Sequence, residues 1–187
     1  MIEKVPVRFF MLVNRQYDRG RAVTYARRWA FDRSPLFESF NGIGGDCTNF
    51  VSQCVYAGSC VMNYTRDFGW YYVSPTDRAA AWSGVEFFYT FMTENEGAGP
   101  YMSEVDENEL DLGDVIQLGR ADGDYFHTLI VVGRIRGEYL VAAHSNDVYG
   151  RPLSAYDFER VRYLHVDGVR ADIQTDCFDE LIRGERI

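Results

Sequence analysis

Two periodicities divide the chain. In Tyr17–Phe31, Ala22, Tyr25, Ala26, Trp29 and Ala30 fall on one helical face, with Asp18 near the start, which predicts an amphipathic helix. Cys47, Phe50, Val51, Cys54 and Val55 follow i, i+3, i+4, i+7, i+8 and predict a second, deeply buried helix from about Cys47. Asp46 is its expected N-cap and Gly58 its expected stop. Between them Ser34–Gly45, with Pro35 and three glycines, reads as a loop. A third helix is predicted over about Arg78 to Met92, with Trp82, Val85, Phe88, Tyr89 and Met92 on one side. The second half changes character. Asp111–Gly119, Phe126–Ile135, Glu138–Asn146 and Arg160–Gly168 are short β-branched or aromatic runs bounded by turn residues, which predicts an antiparallel meander with a hairpin at Gly137. A last short helix is expected around Phe178 to Ile182. Helices first and strands second imply an α+β fold with N-terminal helices packed on one antiparallel sheet. The length suits a single domain, residues 1–187, with its core at about 17–166 and a tail at 167–187.

Charge narrows the function. With 28 acidic against 19 basic residues the net charge is −9, which argues against nucleic acid or anionic lipid as a partner. No apolar run approaches the roughly 20 residues of a membrane span. The N-terminal run Val5–Val13 is interrupted by Pro6 and Arg8, and no small-residue cleavage site follows. It does not read as a signal peptide, so a cytoplasmic location is expected unless a leader has been removed. Four cysteines without a CxxC pair are too few for a disulfide scaffold. Cys54, Cys60 and Cys177 are expected as buried or idle reduced thiols.

Cys47 stands apart, because it follows Gly44, Gly45 and Asp46 at the start of a helix. There the helix dipole and free N–H groups stabilise a thiolate and can hold an oxyanion. The plainer alternative is that Cys47 only opens the buried stripe. A thiolate nucleophile needs a base. His127 stands at the mouth of an apolar strand and His144 closes the next one. Pairing through Gly137 would make them neighbours, with Asn146 two residues on. His165 is expected to be a surface or strand-packing residue. Separations this long disfavour a Cys47/His127/His144 zinc site, and Gly42–Gly45 lacks the lysine of a phosphate loop. No metal and no cofactor are expected.

The strings "YDRGRAVTYARRWA", "GGDCTNFVSQCVYAG", "GWYY", "AAWSGV", "LGDVIQL", "HTLIVV" and "AAHSND" together resemble the Putative amidase domain of Gram-positive bacteria. That family is related to the NlpC-type cysteine peptidases and the CHAP amidases, which share a papain-like fold. The resemblance runs from about Tyr17 to His165. It implies Cys47 as nucleophile, His127 as base and His144 as third residue, with Asn146 as runner-up. Asp46 matches an aspartate that in some relatives helps hold a substrate amine, and Thr48 stands where they usually carry serine. The expected reaction is amide hydrolysis through a thioester, on peptides such as peptidoglycan stem peptides. Trp70, Tyr71, Tyr72 and Trp82 are candidate groove walls, with core packing as the alternative. Acyl transfer by the same thioester is a rival enzyme class. A non-catalytic peptide-binding module is a third, against which the complete Cys47, His127 and His144 set argues.

Overall fold

The computed structural model describes residues 11–172 and 175–185, so most of the N-terminal apolar run, residues 5–10, lies outside it. The chain begins with β1 (Val13–Arg15) and α1 (Arg19–Trp29), which buries Ala22, Tyr25, Ala26 and Trp29 as the periodicity predicts. Asp18 caps it, its carboxylate accepting from the Arg21 N–H at 2.9 Å. The next helix is α2 (Asp46–Ser59), buried around almost its whole circumference. A helix buried on every side belongs at the centre of a fold, and α2, whose buried Asp46, Thr48, Asn49, Ser52 and Gln53 find internal partners, lies between α1 and the sheet. Its N-cap is Gly45 rather than Asp46, with φ +89°. A Cβ there would come within 2.7 Å of the Ser83 carbonyl oxygen, so both the conformation and the close approach require glycine.

A short hairpin follows, β2 (Tyr72–Ser74) with β3 (Asp77–Arg78). The predicted third helix breaks at Gly84 into α3 (Ala80–Ser83) and α4 (Val85–Glu94). The remaining strands are β4 (Gly99–Glu104), β5 (Val115–Gly119), β6 (Tyr125–Ile135), β7 (Glu138–Ala143), β8 (Val148–Pro152) and β9 (Arg160–Ala171), before α5 (Phe178–Arg183).

The fold is mixed α and β with one seven-stranded antiparallel sheet. β5, β6 and β7 form the first three strands of the predicted meander, and the β6–β7 hairpin turns at Arg136–Gly137, both with positive φ; the unpredicted β8, not the predicted run Arg160–Gly168, pairs β7 next. The meander ends there. β9 runs back to the outer edge of β5, pairs β1 along the same edge, and takes β4 on its other side. Alternation along the strands gives two apolar faces. Val115, Ile130, Ala142, Leu164 and Val166 face the helices. Ile116, Leu118, Leu129, Val131, Val141 and Ala143 face the other way, under Leu110 and Leu153 with Tyr156 and Phe158 at the edge.

One expectation is corrected here. Cys60 and Cys177 are not idle thiols but form a disulfide, with Cα atoms 5.5 Å apart, that ties the start of α5 to the end of α2. Cys54 is a buried free thiol, as expected. Among the described residues no helix is long and apolar enough to cross a membrane.

Candidate active site

Cys47 is the second residue of α2, a free thiol 5% exposed, behind two left-handed glycines. Among the described residues, Thr48 Oγ1, at 3.8 Å, is the one polar partner of its Sγ. The next side chain fixes the helix start in space: Thr48 Oγ1 and Thr128 Oγ1 share a hydrogen bond of 2.9 Å, both fully buried. That bridge pins the first turn of α2 over the start of β6. Cys47 and His127 each lie one residue from it.

Asp46 does not cap the helix. Its Oδ1 accepts from the Phe40 N–H at 2.9 Å and from Asn49 Nδ2 at 3.3 Å, so it ties the preceding loop to the helix. Its Oδ2 lies 3.3 Å from both His144 Nδ1 and Arg33 Nη2. Neither contact has hydrogen-bond geometry, and the Arg33 contact acts through charge. Burial opposes the carboxylate's charge, but His144, the Phe40 N–H and Asn49 outweigh it and hold Asp46 below its ordinary value. His144 is 1% exposed and stacks on Phe50 with ring centroids 4.0 Å apart. Its Nε2 lies 3.0 Å from the Trp29 carbonyl and 3.3 Å from Arg33 Nη1.

His127 points elsewhere. It pairs opposite Leu118, which sets its Cβ on the second apolar face, and its ring lies 5.9 Å from that of Tyr156. Burial, then the nearby Arg151 charge, lowers its pKa to about 4. The expectation that His127 and His144 are neighbours is therefore corrected. The β6–β7 bulge after Val131 puts Ile130 opposite Ala142. Continued by two residues, that register sets His144 beside Thr128, on the helix face, and leaves His127 on the other. Among the described residues no hydrogen bond joins Cys47 Sγ to either histidine. Asn146 is exposed in the turn after β7.

The candidate groove walls divide. Trp70 is fully buried, donating from Nε1 to Ser52 Oγ at 3.0 Å, and walls no groove. Trp82 is also core, donating to Asn49 Oδ1. The Tyr72 hydroxyl accepts from the Glu38 N–H. Tyr71 alone of the four is half-exposed, stacked on Tyr64 at 5.3 Å. Asp46 and Thr48, expected to meet substrate, are fully buried. His165 does have partners, Asp114 Oδ2 at 2.8 Å and Arg19. Sequence reasoning missed Arg33, a loop residue outside any period or motif. Among the described residues no group of three or more His, Cys, Asp or Glu could hold a metal ion.

The low His127 pKa couples to stability. Folded His127 stays neutral down to about pH 4, whereas an unfolded histidine takes up a proton near pH 6.5. Between those values the unfolded chain binds more protons. Stability present above pH 6.5 is therefore lost as pH falls through that window, by up to about 3 kcal/mol. Denaturant titrations between pH 7 and 4 should show that slope in the wild type and a shallower one in His127→Gln; equal slopes would remove His127 as its source.

A family model described as "Putative amidase domain" matches residues 16–166. The chain is also similar to "Uncharacterized protein YhbB" of Bacillus subtilis (strain 168), with 32% identity over 136 residues, 71% of this chain and 42% of that protein. It therefore spans less than half of that relative's length. No solved structure matches the chain.

Proposed function

The chain belongs to the Putative amidase domain family, and on that premise we propose that it hydrolyses amide bonds through a thioester on Cys47. The observation that carries this reading is a free thiol in the first turn of the central helix, behind Gly44 and Gly45. The papain-like arrangement is part of the same proposal: a nucleophile opening a helix that packs on an antiparallel sheet, with the base on a strand.

His127, on β6, is a better base than His144, in the turn after β7. His144 is buried, with Nε2 against the Trp29 carbonyl and Nδ1 beside Asp46, so its ring is closed off from an incoming substrate. His127 makes no hydrogen bond among the described residues and is neutral at pH 7. Its ring must turn to the α2 face. The bulge opposite Leu118 and Gly119 lies next to it, and moving that extra residue past His127 exchanges the two faces. In the reaction Sγ bonds to the carbonyl carbon while His127 takes the thiol proton, and the oxyanion rests on the first-turn N–H groups. The C–N bond breaks as His127 gives that proton to the amine. Water, deprotonated by His127, then releases the acid and restores the thiol.

Peptide amides are the proposed substrates, peptidoglycan stem peptides first. The Cys60–Cys177 bridge fits an oxidising compartment and weighs against the cytosolic reading drawn from reduced thiols. Mapped iodoacetamide labelling tests the nucleophile. At pH 6 Cys47 should be alkylated faster than glutathione, while Cys54, whose thiol burial pushes well above its ordinary pKa, stays unlabelled. A Cys47 no faster than glutathione would sink the assignment.

A further inference from the structure

We propose that Arg33 is a positioning residue for this site: it neutralises the carboxylate buried against the nucleophile and locks the loop that delivers it. The inference rests on the Cys47 reading above. Arg33 lies near the start of the loop between α1 and α2, and its guanidinium is the hub of the polar cluster behind Cys47. Nη1 and Nη2 donate a two-pronged pair to Asp147, at 3.0 and 2.9 Å. Nη1 also lies 3.3 Å from His144 Nε2, and Nη2 3.3 Å from Asp46 Oδ2. Nε donates to Ser39 Oγ at 3.4 Å. One side chain thus joins both ends of the loop to the turn after β7.

That turn is strained. Ser145 and Asn146 have φ of 69° and 146°, conformations that non-glycine residues avoid. The Arg33–Asp147 fork closes over it and holds His144 in register. Charge is the second part of the argument. Asp46 directly precedes Cys47, is fully buried, and carries a negative charge that opposes a thiolate beside it. The charged or titratable groups around Cys47 are Asp46 on α2, Arg33 and Glu38 on the loop, His144 and Asp147 in the turn after β7, Arg78 over Phe40, and His127 beyond Thr128. Of the two arginines, only Arg33 reaches Asp46 at ion-pair distance.

The test is the pH–rate profile of Cys47 alkylation by iodoacetamide in the full chain, alongside thermal unfolding. Arg33→Met should slow alkylation about tenfold at neutral pH, the effect of one pH unit on thiolate fraction, and displace the profile to higher pH. Arg33→Lys, which keeps the charge without the fork, should stay within about threefold of wild type. Arg33→Met/Asp46→Asn should return toward wild type, because the carboxylate needing a counter-charge is gone. A merely structural role predicts a lowered melting temperature in Arg33→Met with a superimposable profile, and that outcome overturns the inference. So does a double variant as slow as Arg33→Met. If Arg33→Met does not fold, the charge-balanced double variant decides: a wild-type profile upholds neutralisation, and a tenfold slower one overturns it. Wild-type Cys47 no faster than glutathione would instead fail the nucleophile reading itself, so the two failures are distinguishable.

Discussion

Cys47→Ala is expected to abolish amide turnover, by at least about 10³-fold in kcat, while leaving the fold intact. In the proposed mechanism the thiol forms the covalent bond, so no binding contact can compensate for it. The Thr48–Thr128 bridge, Asp46 and the glycine N-cap do not involve the sulfur, so the helix start should keep its place. Cys47→Ser is the sharper variant, because it keeps a nucleophilic atom in the same position. A hydroxyl is far less ionised than a thiol at neutral pH, and turnover should fall nearly as far. Cys54→Ala should do the reverse, lowering stability through a small core cavity and leaving kcat alone. His127→Ala should cost about 10²- to 10⁴-fold, the range of a positioned general base. Full activity in Cys47→Ala would end the thioester mechanism; loss in Cys47→Ala with none in His127→Ala would end the assigned base. Both are read by single-turnover kinetics on a peptide amide.

The parts of this site that were legible from sequence are the ones that local rules govern. The stripe from Cys47 to Val55 fixes a helix because burial enforces the 3.6-residue period, and Gly137 fixes a hairpin because its turn needs positive φ. What escaped depends on atoms distant in sequence. The offsets from Gly137 to His127 and His144 suggest adjacency, and the strand ends do meet. Which face each ring takes depends on bulges in β6, and a one-residue bulge leaves no mark in the residue pattern. Trp70 reads as a groove wall until its indole N–H is seen to have a buried acceptor in Ser52. Arg33 has no local signature at all, since its partners Asp46, His144 and Asp147 come from two other parts of the chain. β4 and β8 were missed because they contain Gly99 and Pro100, and Gly150 and Pro152, residues that read as breakers but are tolerated near strand ends.

The second large effect concerns stability rather than catalysis. Opening the Cys60–Cys177 bridge, by reductant or by Cys60→Ala/Cys177→Ala, should destabilise the protein by about 3–5 kcal/mol. The bridge spans a sequence separation of 117 residues, and a loop that long removes much conformational freedom from the unfolded chain. For a chain of this size the loss corresponds to a fall in Tm of about 10 °C. α5 should remain docked in the reduced protein below that temperature. Leu181 is buried, its carbonyl accepts from Trp29 Nε1 at 3.0 Å, and Arg21 holds Asp176 just before the helix. Activity at low temperature should survive reduction, because Cys47 and Cys60 lie at opposite ends of α2, about 20 Å apart at 1.5 Å per residue. The effect of dithiothreitol therefore separates into a large shift in Tm and a small one in kcat, provided turnover is assayed well below the reduced Tm. A thiol count of two under denaturing, non-reducing conditions, rising to four after reduction, identifies the bridge chemically. A count of four without reductant, or a Tm indifferent to dithiothreitol, would remove both the bridge and the argument it supports for an oxidising compartment.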